Sequence, residues 1–131
     1  MIGLDTNVLI RYLTQDDPVQ SPRARQIIEE WLTEERPGFI SLVTIAETVW
    51  VLGRSYAMSP VAIAAIVRDL LLSATLRLQN EREVFTALSL FESGAASFSD
   101  ALIGALNAWA GCSVTFTFDR EAARIPGFEL A

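Results

Sequence analysis

Short apolar runs alternate along the chain with longer stretches in which apolar residues recur every three or four positions. The short runs predict strands, and the longer stretches predict helices that bury one face. Strands that alternate with helices are typical of a mainly parallel sheet with helices on both faces. The sequence therefore predicts an α/β fold whose strands cover residues 2–5, 39–41, 76–78, 114–118 and about 128–130.

Residues that favour helix ends separate these strands. The serine–proline pairs at residues 21–22 and 59–60 each predict a helix start, because serine caps a helix and proline suits its first position. Ser97 or Ser99 is expected to cap a later helix, which Gly111 ends. The predicted helices cover residues 6–14, 22–35, 43–56, 61–72, 81–93 and about 98–110.

The length of 131 residues is sufficient for one domain, and a single domain over residues 1–131 is expected. Arg54, Arg68 and Asp69 interrupt the longest apolar stretches, so no membrane-spanning helix is expected. The start of the chain lacks the basic segment of a signal peptide, which favours a cytoplasmic protein. The hydrophobic share of 51% predicts that some apolar surface, including the helix at residues 61–72, lies in an interface with another chain.

Cysteine, tryptophan and net charge add three smaller expectations. The single cysteine, Cys112, excludes a disulfide within the chain and is expected to fill a small buried space. Trp31, Trp50 and Trp109 fall on apolar helix faces and are expected in the core or in an interface. The net charge of −6 indicates no basic face for nucleic acid.

Four carboxylates in apolar surroundings, Asp5, Glu47, Asp100 and Asp119, come from four distant segments of the sequence. Asp5 and Asp119 follow predicted strands, and Asp100 lies in the first turn of a helix. These three are expected to collect at the carboxyl edge of the sheet, and Glu47 is placed to point into the same cleft. Because the chain has no histidine, this set of ligands favours a hard ion such as Mg²⁺ or Mn²⁺.

Each acid also has an ordinary explanation. Asp5, Asp100 and Asp119 could each cap a helix or a turn. Glu47 could form an ion pair with Arg54, since a buried carboxylate without a partner is costly. The joint placement of the four acids at the junctions of elements is what favours a metal site.

The segments that carry these acids resemble a known family. The opening LDTNVLI, an acid in the spacing S-x-x-x-x-x-E, the segment SDALIGA and the closing TFDRE together resemble a PIN domain, and more specifically the VapC-type toxin ribonucleases of bacterial toxin–antitoxin pairs. The resemblance implies an α/β/α sandwich, a homodimer and Mg²⁺- or Mn²⁺-dependent endoribonuclease activity. It also implies a cognate antitoxin protein whose C-terminal segment blocks the active site.

By matching position, the resemblance makes Asp5, Glu47 and Asp100 the three main acids and Asp119 the fourth. The supporting polar residues, which would position substrate or water, are Thr6, Asn7 and Thr117. Many relatives carry a further acid in D-F-x-D-A, and Ser97 takes that position here. The sequence therefore leaves open whether one metal ion binds or two.

The roles of the acids follow from the chemistry of phosphodiester hydrolysis. A metal ion can lower the pKa of a bound water and hold the phosphate oxygens. Asp5 and Asp100 are expected to hold the principal ion, and Asp119 to complete a second, weaker site. Glu47 is expected to orient or deprotonate the attacking water, or to share the metal. The family resemblance implies RNA products with 5′-phosphate and 3′-hydroxyl ends.

Two other functions stay open. An aspartyl-phosphate phosphotransferase would use Asp5 as its nucleophile, but such enzymes rely on a lysine and this chain has none. A PIN-like module that binds RNA or protein with little or no cleavage is the other alternative, and the serine at position 97 keeps it open. Whether the protein is a nuclease or a binding module, three arginines near the acids in sequence are candidates for binding phosphate or an acidic residue of the antitoxin: Arg11, Arg54 and Arg120.

Overall fold

The computed structural model describes all 131 residues and divides into two compact units. The first unit comprises residues 1–59 and 69–79, and the second comprises residues 60–68 and 80–131. All strand pairs are parallel, so the predicted α/β class with parallel strands is confirmed. No helix combines the length and the apolar character that crossing a lipid bilayer requires.

The elements alternate between strand and helix much as the sequence predicts. The first unit contains β1 (Ile2–Gly3), α1 (Thr6–Thr14), α2 (Gln20–Gln26), a π-helical turn (Ile27–Trp31), β2 (Gly38–Ile40), α3 (Leu42–Arg54) and β3 (Leu76–Leu78). The second contains α5 (Glu81–Glu92), α6 (Phe98–Trp109), β4 (Thr115–Thr117), a 3-10 turn (Ala122–Arg124) and β5 (Phe128–Leu130). Helix α4 (Pro60–Leu72) contributes residues 60–68 to the second unit and 69–72 to the first.

The sheet of the first unit has the strand order β1-β2-β3, with β2 in the centre. Gly38 begins β2 and pairs with Ile2 on one side and Leu76 on the other. A Cβ atom at Gly38 would lie 2.8 Å from the Leu32 side chain and 3.0 Å from those of Leu4 and Leu76. The three leucines therefore pack over a position that only glycine leaves open.

Helices α1 and α3 pack together in the first unit, and polar contacts lie near both ends of α1. Near the start of α1, the Thr6 hydroxyl donates to Glu47 on α3. Beyond the other end of α1, Asp16 accepts hydrogen bonds of 2.7 Å from both the Tyr56 and Thr14 hydroxyls. The Tyr56 bond first, and then the Thr14 bond, hold the pKa of Asp16 below its ordinary value.

In the second unit, α5 packs against α6, and the buried residues of the two helices include Val84, Leu88, Phe98 and Leu102. The Phe91 and Phe98 rings meet edge to face, with centroids 6.0 Å apart and an interplanar angle of 76°. The Phe128 ring of β5 lies against Gly104 of α6, where a Cβ atom would overlap it. Strands β4 and β5 pair in parallel as a two-stranded sheet.

The structure corrects the predicted start of α2. Ser21 does not cap this helix but lies inside it, buried, and its hydroxyl accepts from the Asp17 backbone amide at 3.2 Å. Asp17 supplies the capping contacts instead, because its Oδ1 accepts from the amides of Val19 and Gln20 at 2.9 and 2.6 Å. The predicted continuation of this helix to residue 35 is also wrong, because the π-helical turn ends at Trp31.

Side-chain exposure differs from expectation at two kinds of residue. Cys112 is exposed rather than buried, in the turn that follows α6. Trp31, Trp50 and Trp109 are 44%, 62% and 68% exposed, so the core is excluded as their location. Arg23 covers one face of Trp31, with its guanidinium carbon 4.4 Å from the ring centroid.

The Gly38→Ala variant is expected to be less stable, because its methyl group would push three buried leucines apart in the first unit. The expected loss is about 1–3 kcal/mol in the free energy of unfolding, measured by urea denaturation. Gly3→Ala is the matched control, since a Cβ at Gly3 meets no atom within 4 Å. Equal unfolding midpoints for the two variants would contradict the packing described at β2.

The Tyr56→Phe variant is expected to raise the pKa of Asp16 toward its ordinary value, as measured by NMR titration. The contribution of Asp16 to stability is present above the unfolded pKa of 3.8 and is lost as the pH falls through the lower folded pKa. The variant should therefore lose less stability than the parent on acidification. Tyr12→Phe is the control, because that hydroxyl donates to Glu29.

Candidate functional site

Asp5 occupies the N-cap position of α1 without using its carboxylate as a cap. Its backbone is extended, with φ −86° and ψ 159°, and its carbonyl oxygen accepts from the amides of Val8 and Leu9. The carboxylate accepts one long bond, 3.5 Å, from the Asn7 side-chain amide. The side chain is exposed and Oδ1 has no partner, so helix capping does not account for an acid at this position.

Thr6 and Glu47 form the only polar side-chain contact between α1 and α3. The Thr6 hydroxyl, on a residue 8% exposed, donates to Glu47 Oε1 at 3.1 Å across 41 positions of sequence. This bond fixes one oxygen of Glu47 and leaves Oε2 free. Asp5 immediately precedes Thr6, so the bond places the Glu47 carboxylate close to the start of α1.

The surroundings of Glu47 differ from the apolar environment that the sequence suggests. Ile45 and Val49 are buried on one face of α3, whereas Glu47 lies on the exposed face together with Trp50. Glu47 also forms no ion pair with Arg54; the ion pairs of the structure are Arg11–Asp16, Arg25–Glu29 and Arg68–Glu92. Glu47 is therefore accessible to solutes on the surface of the first unit.

In the second unit, Ser97 and Asp100 begin helix α6. Ser97 is the N-cap, and its hydroxyl oxygen accepts from the Asp100 backbone amide at 3.2 Å, as one of the two predicted caps. The half-buried Asp100 carboxylate makes no hydrogen bond. Ser97 therefore supplies the cap of α6, and both carboxylate oxygens of Asp100 are free.

Asp119 follows β4 and uses half of its carboxylate locally. The Thr117 hydroxyl oxygen accepts from the Asp119 amide at 3.0 Å, which holds the backbone at the end of the strand. Asp119 Oδ1 accepts from the amides of Glu121 and Ala122 at 2.8 and 3.4 Å. The turn-capping explanation is thus correct for one oxygen of Asp119, and Oδ2 has no partner.

A polar cavity of about 420 Å³ in the second unit is lined by Ser97, Asp100 and Asp119. The same cavity is lined by Glu121 and Arg124, which the sequence did not single out. Their spacing in the sequence is the signal that could have identified them. Residues three apart lie above one another on such a turn, so Glu121 and Arg124 share a face.

All four predicted acids keep at least one carboxylate oxygen free of hydrogen bonds and take no part in an ion pair. Oxygen donors of this kind suit Mg²⁺ or Mn²⁺. Each unit supplies two of the four: Asp5 and Glu47 in the first, Asp100 and Asp119 in the second. Neither unit by itself places three or more acidic or cysteine side chains where they could hold a metal ion.

A model of the PIN domain matches residues 2–127 of the chain. The chain belongs to the PIN domain family. No curated protein matches it. The predicted PIN resemblance and the predicted PIN-like α/β/α fold class are thereby confirmed. PIN domains have a nuclease-type fold and are generally hydrolases that act on nucleic acid, typically with divalent metal ions.

The Ser97→Asp variant of this PIN domain is expected to bind Mn²⁺ more tightly, because it adds a carboxylate to the cavity with Asp100 and Asp119. Aspartate caps helices as well as serine, so the variant should fold normally. The expected gain is roughly tenfold in Mn²⁺ affinity, measured by isothermal titration calorimetry. Ser97→Asn, an equally good cap without charge, is the control, and equal affinities for the two variants would argue against metal binding in this cavity.

Proposed function

We propose that this PIN domain is a metal-dependent endoribonuclease of the VapC type, the toxin of a toxin–antitoxin pair. The observation that carries the nuclease proposal is the state of the four acids. Asp5, Glu47, Asp100 and Asp119 each retain a free carboxylate oxygen, although caps, turns and ion pairs could have occupied them all. Membership of the PIN family supports the same chemistry.

The proposed cofactor is Mg²⁺ or Mn²⁺, with Asp5 and Asp100 as principal ligands and Asp119 as a weaker one. When bound, such an ion lowers the pKa of water and offsets the charge of the phosphate. Asp119 can offer only Oδ2, because two backbone amides occupy Oδ1. With one oxygen available instead of two, Asp119 would be the weaker ligand of the set.

Glu47 is proposed to orient the attacking water and accept its proton. The Thr6 hydroxyl restrains Oε1, so Oε2 is the oxygen that can contact water. Asn7 and Thr117 contact two of the other acids. The Asn7 side-chain amide donates to the Asp5 carboxylate, and the Thr117 hydroxyl oxygen accepts from the Asp119 backbone amide. These polar residues restrain the acids, and we propose that their substitution lowers activity less than loss of an acid.

The proposed products carry 5′-phosphate and 3′-hydroxyl ends, as the family resemblance implies; they form when water attacks the phosphate and the 3′ oxygen leaves. The aspartyl-phosphate alternative is disfavoured by the family assignment and by the absence of lysine. The non-cleaving binding module stays the second candidate, and the observation that favours it is Ser97 in place of a common family acid. Mn²⁺ titration separates the two candidates, because a module without catalysis has no need of the ion.

The proposed partners are an antitoxin protein and a second copy of the chain. Large apolar side chains exposed on α3 support an interface, since Val43 and Trp50 are 69% and 62% exposed. Val61 and Leu72, at the two ends of the predicted interface helix α4, are 80% and 68% exposed. Surface of this kind commonly lies in contacts between proteins. Light scattering of the purified protein in the presence of a reductant reports whether it is a dimer.

The nuclease proposal is tested by incubating total cellular RNA with the antitoxin-free protein and Mn²⁺ or Mg²⁺. The Asp5→Asn variant is expected to cleave at least roughly a hundredfold more slowly than the parent, because it loses a charged ligand. Asp69→Asn makes the same chemical change at an exposed acid of α4 and is expected to retain activity. EDTA should abolish cleavage by all active forms.

End-mapping of the fragments identifies the RNA and its termini. A cyclic phosphate at the 3′ end would contradict hydrolysis by water, because it requires attack by the ribose hydroxyl. Equal cleavage by the parent and the Asp5→Asn variant would indicate a contaminating nuclease. No cleavage together with no Mn²⁺ binding would support the binding module instead.

A further inference from the structure

Arg124 is the only cationic side chain among the residues that line the cavity of the second unit. Three carboxylates line the same cavity, those of Asp100, Asp119 and Glu121. Arg124 forms no ion pair with any of them, and its guanidinium donates no hydrogen bond within the chain. A guanidinium carries five N–H donors in a planar fork, and all five are free here.

The local backbone explains why Arg124 faces the cavity. Ala122 and Ile125 are each 3% exposed and anchor the 3-10 turn to the interior of the second unit. Asp119 Oδ1 accepts hydrogen bonds from the Glu121 and Ala122 backbone amides, and these bonds fix the path of the chain into the 3-10 turn. With its neighbours on the inner side, Arg124 lies on the exposed side, and the turn geometry holds it there.

A cavity lined by three carboxylates repels RNA unless positive charge is present. The phosphates of RNA dominate its interaction with proteins through charge, and guanidinium groups bind phosphate oxygens in pairs. The whole protein has a net charge of −6, so its overall charge does not attract RNA. A free cation inside the acidic cavity is therefore the strongest candidate for a phosphate contact.

We propose that Arg124 is a substrate-binding residue that holds a phosphate group of RNA at the cavity containing Asp100 and Asp119. The proposal rests on the nuclease function proposed above and extends it to substrate recognition. A volume of about 420 Å³ suffices for a phosphate with part of its nucleotide. Both oxygens of the phosphate can be held at once by the guanidinium fork.

The structure favours Arg124 over the arginines that sequence proximity suggests. Arg120 immediately follows Asp119 in the sequence but does not line the cavity. Arg11 is engaged within the first unit, where it donates to Gln20 at 2.9 Å and forms an ion pair with Asp16 at 3.2 Å. Arg54 belongs to the first unit as well, and neither Arg11 nor Arg54 is among the residues that line this cavity.

The test compares Arg124→Gln with Arg120→Gln, its matched control two residues outside the 3-10 turn. Binding of a short fluorescein-labelled single-stranded RNA of mixed sequence is measured by fluorescence anisotropy, with Ca²⁺ replacing Mg²⁺. Arg124→Gln is expected to weaken binding about tenfold, and Arg120→Gln less than twofold. The slope of log affinity against log salt should fall by about 0.7 in Arg124→Gln, the value for one lost phosphate contact on a single strand.

Arg124→Lys and thermal unfolding complete the design. Lysine keeps the charge but not the fork, so its RNA affinity should lie between those of the parent and Arg124→Gln. Unfolding midpoints equal to that of the parent exclude misfolding as the cause. In cleavage assays, Arg124→Gln should raise KM more than it lowers kcat, because the contact forms with the bound substrate.

Two results would overturn the proposal: equal RNA affinities for Arg124→Gln and Arg120→Gln, or a fall in kcat with RNA affinity unchanged. The first would mean that Arg124 only balances the nearby carboxylates. Failure of the nuclease proposal gives a different result. If the parent protein cleaves no RNA but Arg124→Gln still weakens RNA binding, the nuclease proposal fails and the phosphate contact stands. Cleavage by the parent with no effect of Arg124→Gln would uphold the nuclease and reject the contact.

Discussion

The first unit depends on the absence of a side chain at residue 38. Leu4, Leu32 and Leu76 close over the backbone of Gly38, and this contact lets β2 lie between β1 and β3. The Leu4 amide then donates to the Phe39 carbonyl, which fixes the end of β1. Since Asp5 is the next residue, packing among leucines determines where the first carboxylate leaves the sheet.

The sequence predicts most of the fold because its helix and strand periods are clear. The bounds of α1 and β3 agree with the prediction, and Ser97 caps α6 as one of two predicted candidates. The predicted start of α2 is wrong because a residue outside the serine–proline pair accepts the first amides of the helix. Asp17 lies close enough to accept them, whereas the serine before Pro22 is already within the helix. Local sequence therefore indicates that a helix begins in this region, but not which side chain accepts its first amides.

The candidate site is predictable only as a set of residue types. The pattern indicates four acids, but the Thr6–Glu47 bond joins residues 41 apart and cannot be read from either segment. Periodicity also misplaces Glu47, because an apolar helix face looks the same in sequence whether the protein covers it or leaves Trp50 exposed. The sequence does not distinguish Arg124 from other arginines, because only the folded chain forms the cavity that Arg124 lines. Arg120, which is adjacent to Asp119 in the sequence, does not line that cavity.

The exposure of Cys112 affects how any self-association of this chain must be measured. It is the only thiol in the protein, and it lies on the surface in the turn after α6. A single accessible thiol cannot pair within its own chain, so air oxidation would join two copies covalently. Such a linked pair would have twice the mass of the chain whether or not the folded surfaces recognise each other. Only in the presence of a reductant does a doubled mass report genuine assembly.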